Sequence, residues 1–316
     1  MYSIYLTKRQ KNVKIYDDAE MKMGDSMFLS DKWKDYELID ASNGEKLERW
    51  GDIILRRPDP QIVWTVPKEE KSKLWNKANA RYIRSNSGGG HWEYNKKLPE
   101  KWDINYGNLK FGIKMMGFKH TGLFPEQATN WEWFSDIIRK SGRKDVKVLN
   151  LFAYTGGASV AALSAGAAVC HVDASKGMVS WAKENAQLSG IADRSIRYIV
   201  DDVKKFVERE IRRGNKYDGL IMDPPSYGRG PSGEVWKIED ELFNLIELCL
   251  NVMSDNPLFF LVNSYTTGMS GSVMENIYKL TLKKRFGGHS QTDEVGLPIT
   301  QGGLVLPCGY SSRWWK

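Results

Sequence analysis

The segment from Asp223 to Tyr227, which reads Asp-Pro-Pro-Ser-Tyr after an apolar run, has the residue types and spacing most specific for chemistry. Its two prolines fix the backbone and remove two amide donors, so carbonyls can face a cleft beside the Asp223 carboxylate. Such acceptors can hold a planar amine or a base edge, and the Tyr227 ring can stack on a base taken out of its helix. We therefore predict Asp223, Pro224 and Tyr227 as catalytic residues, with a plain strand-closing turn as the structural alternative.

A glycine-containing loop, NLFAYTGGAS at residues 150–159, follows an earlier apolar run and leads into a helix of small residues. Glycine lets the backbone approach a ligand closely, and the amides at a helix N-terminus can bind a carboxylate or a phosphate. The loop does not match G-x-G-x-x-G, which lowers the expectation of a dinucleotide cofactor. The loop predicts a ligand site, but by itself, without the neighbouring strands and helices, it is weak evidence for one.

Acidic residues follow two further apolar runs, Asp173 after one and the pair Asp201-Asp202 after the next. A carboxylate at the first position can accept hydrogen bonds from ribose hydroxyls, and the second pair lies where a base amine could be recognised. The alternative is that these acids only cap the following helices, for which Ser175 is also available. Asp202 can serve in both ways.

The elements that position these residues change along the chain. Before residue 111, short apolar runs broken by Gly, Pro and Asn predict antiparallel strands and a smaller β-rich domain at 1–110. From Lys147 onward, five apparent strands alternate with helical stretches, which predicts an α/β, Rossmann-like, mostly parallel sheet in a domain at 111–316. Ligands of such sheets bind at the carboxyl ends of the strands, where the residues above lie.

Composition limits the class of protein. The 316 residues are 41% hydrophobic and 27% charged, which fits about two folded domains. The three cysteines form no CxxC pair and the four histidines have no ligand spacing, so no disulfide framework or metal is expected. Without a signal peptide or a membrane-length apolar run, we predict a cytoplasmic protein. The net charge of +7 favours an anionic partner, although a merely basic surface explains it equally well.

Taken in order, the loop at 150–159, Asp173, the Asp201-Asp202 pair and the DPPSY segment resemble a class I S-adenosylmethionine-dependent methyltransferase. The likeness is closer to the bacterial large-subunit ribosomal RNA methyltransferases of the I and K type, whose TG-F-x-x-Q segment is similar to HTGLFPEQ at residues 120–127. It covers about residues 105–316. It implies S-adenosyl-L-methionine as cofactor and a sheet whose last strand is antiparallel, with Gly303 to Cys308 as the candidate for that strand.

The resemblance also implies roles for individual residues. Asp173 would bind the ribose hydroxyls, Asp202 would lie at the adenine, and Asp223 with Pro224 would close the pocket near the methyl group. The implied cofactor-binding set is Phe124, Gln127, Asn150, Ala153, Gly156, Asp173, Ala174, Ser175, Asp202 and Asp223.

The leading hypothesis is methylation of structured RNA, ribosomal RNA above all, at a ring or exocyclic nitrogen. Methylation of cytosine carbon 5 through a covalent adduct needs a thiolate, and the residues after the fifth strand offer only hydroxyls, which leaves Cys308 as a minor candidate. The alternatives are a methyltransferase for protein or small molecules, and a non-catalytic RNA-binding protein that keeps the cofactor pocket. An oxidoreductase ranks third, no membrane partner is expected, and a homo-oligomer remains open.

The region before residue 111 is the predicted RNA-binding part of the chain. It contains six of the twelve tryptophans, whose rings could stack on bases, together with lysines and arginines that could contact phosphates. For any single tryptophan, a place in the protein core is an equally good interpretation.

Overall fold

The computed structural model describes residues 27–85, 89–229, 235–265 and 269–316. The strands are β1 Met27–Leu29, β2 Tyr36–Ser42, β3 Glu45–Trp50, β4 Ile53–Pro58, β5 Ala80–Arg84, β6 Gly90–Tyr94, β7 Trp102–Tyr106, β8 Leu109–Ile113, β9 Lys147–Leu151, β10 Ala168–Asp173, β11 Ile196–Val200, β12 Gly219–Met222, β13 Tyr227–Arg229, β14 Val235–Lys237, β15 Phe259–Ser264, β16 His289–Pro298 and β17 Val305–Trp315.

The helices are α1 Ala128–Lys140, α2 Gly157–Ser164, α3 Lys176–Leu188, α4 Val203–Arg212, α5 Ile238–Leu250, α6 Gly271–Tyr278 and the short α7 Lys284–Phe286. Two short 3-10 helices lie at Lys73–Lys77 and Pro125–Gln127, and a π-helical turn at Lys279–Lys283 joins α6 to α7. None of the helices in the described parts of the chain is long and apolar enough to span a lipid bilayer.

An eight-stranded sheet with the order β1-β16-β17-β15-β12-β9-β10-β11 forms the centre of the molecule. Strands β9, β10, β11, β12 and β15 run parallel, and β17 lies antiparallel between β15 and β16. This arrangement confirms the predicted Rossmann-like fold class and its antiparallel last strand. That strand begins at Val305 rather than Gly303, and its pairing with β15 is made by Tyr310 to Trp315, beyond the predicted segment.

The inner parallel strands β9, β10, β12 and β15 are buried on both faces, which explains why they read as continuous apolar runs, whereas the edge strand β11 is partly exposed. Along β12, Ile221 belongs to the buried cluster on one side of the sheet, whereas Leu220 and Met222 belong to the cluster on the other side. Because both faces are covered, the polar residues that follow each strand gather at the open carboxyl edge.

The region before residue 111 is rich in β structure, as predicted. Strands β2 to β6 form a five-stranded sheet in sequence order, and β7 pairs with β8. Its core is continuous with that of the central sheet, since Trp50 and Leu55 belong to the same buried cluster as Val148 and Val160. The predicted division at residue 110 falls inside β8 and stays a prediction, and residues 1–26 of that domain lie outside the described residues.

Candidate active site

A cavity opens at the carboxyl ends of β9 and β12, where the sheet order brings the predicted residues together. It is lined by Leu123, Phe124, Gln127, Trp131, Asn150, Phe152, Ala153, Tyr154, Thr155, Gly157, Ala158, Ile221, Asp223 and Asn263. Five residues of the implied cofactor-binding set therefore share one cavity wall: Phe124, Gln127, Asn150, Ala153 and Asp223.

The loop after β9 has an unusual backbone. Phe152 and Tyr154 have φ angles of 52° and 50°, and Gly156 has a φ of 84°. Side chains other than glycine rarely adopt the left-handed region, and such strain is concentrated at binding sites. At Gly156 a Cβ atom would also lie 2.7 Å from the Ala182 Cβ. The loop is thus held in a shape that presents its backbone and the amides at the start of α2 to a ligand.

Asp173 holds this loop in place. One carboxylate oxygen accepts the Tyr154 N–H at 2.8 Å and the other accepts the Ser175 N–H at 2.8 Å. Asp173, Ala174 and Ser175 do not line the cavity, and the Ser175 side chain caps α3. The carboxylate keeps further lone pairs on each oxygen. A ribose-binding role for Asp173 is compatible with this geometry and stays a prediction.

Asp202 lies outside the cavity and caps a helix, the alternative considered above. Its carboxylate accepts the Lys205 N–H at 2.9 Å at the start of α4. The adenine-side role implied by the resemblance stays a prediction.

The Asn150 side chain belongs to a buried polar chain that sequence reasoning missed. Its Nδ2 donates to Ser159 Oγ at 2.8 Å, and Ser159 Oγ lies 2.9 Å from His171 Nδ1. Burial lowers the pKa of His171 to about 4, so the ring is neutral and Nδ1 can accept the Ser159 proton. Since Asn150 turns its amide nitrogen toward Ser159, its carbonyl oxygen faces the other way and can accept from a ligand.

Asp223 is a carboxyl group in the cavity wall. Burial raises its pKa to about 7, and the negative charge of the buried Glu126 adds to the effect. Burial likewise raises the pKa of Glu126. A carboxyl group with a pKa near the working pH can accept and release a proton, as a general base must.

The prolines after Asp223 are arranged differently from one another. Pro224 is buried, whereas the carbonyl of the exposed Pro225 accepts the indole N–H of Trp236 at 2.6 Å. Tyr227 begins the β13–β14 hairpin, keeps 51% of its surface exposed and does not line the cavity. Its base-stacking role stays a prediction.

Tyr265, which directly follows β15, is not one of the lining residues but interacts with two of them. Its hydroxyl accepts the Gln127 Nε2–H at 2.6 Å, and its ring centroid lies 6.2 Å from that of Phe124. Burial, together with the charges of Asp223 and Glu126, raises the pKa of Tyr265 well above its ordinary value. The phenol is therefore protonated at neutral pH. The sequence indicated Tyr265 only as one of the hydroxyl groups after the fifth strand.

These residues fit the methionyl end of S-adenosylmethionine. Helix amides and the Gln127 amide suit its carboxylate, and the Asn150 carbonyl oxygen suits its ammonium group. Asp173 lies on the neighbouring strand, where the nucleoside would extend.

Comparison with known proteins agrees with this geometry. The family model for S-adenosylmethionine-dependent methyltransferases matches residues 60–251. The crystal structure of an S-adenosylmethionine-dependent methyltransferase from Agrobacterium tumefaciens is 37% identical, with a TM-score of 0.84, and the match covers 91% of this chain and 92% of that chain.

Two curated relatives confirm the more specific resemblance. Ribosomal RNA large subunit methyltransferase K/L of Shewanella sp. (strain MR-4) is 29% identical over 74% of this chain and 32% of its own length. Ribosomal RNA large subunit methyltransferase I of Tolumonas auensis is 34% identical over 42% of this chain and 33% of its own length. The chain thus matches about a third of each relative's length. By the family match and the Agrobacterium structure, the chain belongs to the S-adenosylmethionine-dependent methyltransferase family, which confirms the predicted cofactor and enzyme class.

Proposed function

We propose that this protein methylates a nitrogen atom of a nucleotide in ribosomal RNA. The observation that carries the proposal is Asp223, a carboxyl group with a pKa of about 7 at the cavity wall and followed by the buried Pro224. The names of the relatives support RNA as the substrate class.

The order of the strands indicates where the acceptor enters. Asp173 ends β10, on one side of β9, while Asp223 and Tyr265 follow β12 and β15 on the other side. If Asp173 binds the ribose, the reactive end of the cofactor extends toward Asp223. The acceptor then lies between Asp223 and Tyr265.

The bound cofactor would supply a methyl group on a sulfonium, whose carbon–sulfur bond would break to leave a neutral thioether, so the protein has to supply alignment and a place for one proton. The Asp223 carboxylate accepts a hydrogen bond from the acceptor N–H, which aims the nitrogen lone pair at the methyl group. As the new carbon–nitrogen bond forms, the nitrogen loses that proton to Asp223. The Phe124 ring lines the cavity, with the Tyr265 ring centroid 6.2 Å from its own, and keeps water from the reacting atoms on that side.

The surroundings of Cys308 support a nitrogen acceptor over cytosine carbon 5. Burial, with the negative charge of Glu126, raises the pKa of the Cys308 thiol well above its ordinary value. Its Sγ–H donates to the Leu306 carbonyl at 3.4 Å. A protonated thiol is a poor nucleophile, so the covalent adduct required for carbon-5 methylation is disfavoured.

For RNA binding by the region before residue 111, the charged residues are better candidates than the tryptophans. Trp50 is fully buried, and Trp33, Trp64, Trp92 and Trp102 pack against the same core. The indole N–H groups of these last four donate to carbonyls of the protein. We therefore assign RNA affinity in this region to Lys and Arg contacts with phosphates.

The test is mass spectrometry of ribosomal RNA from cells with and without the gene. We expect one methyl group to be absent without it, and the purified protein with S-adenosylmethionine should restore that group, whereas Asp223→Ala should not. Identical mass maps, or methyl label transferred to protein instead of RNA, would overturn the proposal.

A further inference from the structure

Arg313, in β17, is a buried cation with an unusual environment. Its guanidinium carbon lies 3.6 Å from the centroid of the Phe28 ring and 5.3 Å from that of the Trp133 ring. Among the described residues, no carboxylate lies within 4 Å of it. Burial lowers its pKa to about 9, which leaves the group charged at neutral pH. Burying a cation without an acid partner is costly, so the hydrogen bonds that it donates must be considered individually.

The first of these bonds fixes the direction of an amide. Arg313 Nε donates to Asn130 Oδ1 at 2.9 Å, in the first turn of α1. A guanidinium can only donate, so the oxygen of Asn130 must face Arg313 and its nitrogen must face away. That nitrogen donates to Gln127 Oε1 at 2.9 Å and to Ser311 Oγ at 2.7 Å.

The orientation of the Asn130 amide in turn fixes the orientation of the Gln127 amide. Its Oε1 accepts from Asn130 and also from Asn263 Nδ2 at 3.0 Å, so its amide nitrogen faces the opposite way. One Nε2 hydrogen goes to the Tyr265 hydroxyl at 2.6 Å. The second hydrogen is left for the cavity that Gln127 lines.

If no donor-only group lay at the Arg313 end, this series of hydrogen bonds could run in either of two equivalent directions. Tyr265 could donate to Gln127 Oε1, and the Gln127 nitrogen could then donate to Asn130 and Asn263. In that reversed arrangement a carbonyl oxygen rather than an N–H would face the cavity, where it would repel a carboxylate. Arg313 fixes the direction, because its guanidinium can donate hydrogen bonds but cannot accept them.

We propose that Arg313 is a positioning residue which, through Asn130, turns an N–H of the Gln127 amide toward the carboxylate of the bound cofactor. Arg313 lies 186 positions from Gln127 in the sequence and does not itself line the cavity. Its effect should therefore appear in the affinity for ligands that carry the amino-acid carboxylate and be absent for ligands that lack it.

The experiment is calorimetry with two probes, S-adenosylhomocysteine and 5′-methylthioadenosine, the second of which lacks the amino-acid portion. In Arg313→Met we expect S-adenosylhomocysteine to bind about 10-fold more weakly, the effect of one hydrogen bond to a charged group, with methylthioadenosine unchanged. Arg313→Lys keeps a donor and should retain most of the affinity. Thr129→Val is the matched control, because Thr129 Oγ1 accepts from Arg313 Nη2 at 3.3 Å but does not lead to Gln127.

Two further variants exclude a merely structural role. Adding Arg313→Met to Gln127→Ala should weaken S-adenosylhomocysteine binding no further than Gln127→Ala alone. Asn130→Asp keeps a partner for Arg313 but cannot donate to Gln127. It should therefore weaken the binding of S-adenosylhomocysteine and leave that of methylthioadenosine unchanged. This variant tests the proposal even if Arg313→Met does not fold. Equal losses for both probes, additive effects in the double variant, or full affinity in Asn130→Asp would overturn the proposal.

Discussion

The Asp173 carboxylate accepts the backbone N–H of Tyr154 at 2.8 Å and so joins the end of β10 to the loop that follows β9. Tyr154 has a φ of 50°, a conformation that the loop would not keep without such support. The Asp173 carboxylate thus supports the loop on the methionyl side of the cavity, and it lies at the end of the strand where the ribose is expected to bind.

Replacing Asp173 by alanine should weaken S-adenosylhomocysteine binding by about 1–3 kcal/mol, because the ribose hydroxyls and the Tyr154 amide both lose a partner. Calorimetry measures the effect. Ser189→Ala is the control, since it removes hydrogen bonds to the Lys110 backbone at the other end of α3 and leaves the carboxylate in place. An equal loss of affinity in Ser189→Ala would contradict this account of Asp173.

Gly156→Ala should lower both the melting temperature and the cofactor affinity. The backbone φ of 84° alone costs an alanine about 1–2 kcal/mol, and the contact with Ala182 adds to this. Gly166→Ala separates the two causes, because its φ is 106° but no atom lies within 4 Å of the added Cβ. Thermal unfolding should show a larger decrease in melting temperature for Gly156→Ala than for Gly166→Ala. Equal decreases would mean that the contact with Ala182 does not destabilise the protein.

Methyl transfer should increase as the pH rises through about 7, because Asp223 accepts a proton only as the carboxylate. Glu126→Gln removes a negative charge that contributes to the raised pKa, so it should move the midpoint of the pH profile to lower pH. Single-turnover rates at saturating cofactor provide the measurement. A profile that is flat between pH 5 and 9 would count against Asp223 as the base.

The same group predicts a dependence of folding stability on pH. A carboxyl whose pKa is raised in the folded protein binds more protons there than in the unfolded chain between about pH 4 and 7, so its contribution to stability falls as the pH rises through this range. Asp223→Asn should therefore be more stable than the natural protein at pH 8, and the difference should shrink toward pH 4. Urea unfolding at both pH values tests this, and no change in the difference would contradict it.

RNA that contains 5-fluorocytosine should form no covalent complex with the protein, because the Cys308 thiol is held protonated. Denaturing gel electrophoresis of the mixture with S-adenosylmethionine gives the answer. A complex that forms with the natural protein and disappears in Cys308→Ser would overturn the nitrogen-acceptor proposal and identify Cys308 as the nucleophile.

The sequence predicted the cavity residues that directly follow strands, because the carboxyl ends of parallel strands meet at one edge whatever the details of packing. Asp223, which directly follows β12, is of this kind, and Asn150 is the next-to-last residue of β9. It did not predict the link from Arg313 to Asn130, since contacts across 183 positions depend on the order of strands in the sheet. Nor did it predict that Tyr227 enters a hairpin, which turns the side chain outward although it lies only four residues after Asp223.

The buried cluster shared by the N-terminal sheet and the central sheet has a consequence for dissecting the enzyme. Deleting the first hundred residues would remove Trp50 and Leu55 from that cluster, and would also remove Arg57, whose guanidinium donates to the Lys119 carbonyl at 2.9 Å just ahead of the cavity. Because the two sheets share this core, we expect them to unfold in one cooperative transition in the intact protein. Recognition of RNA and binding of cofactor must accordingly be separated by point substitutions on the surface, because neither half is expected to survive as an isolated fragment.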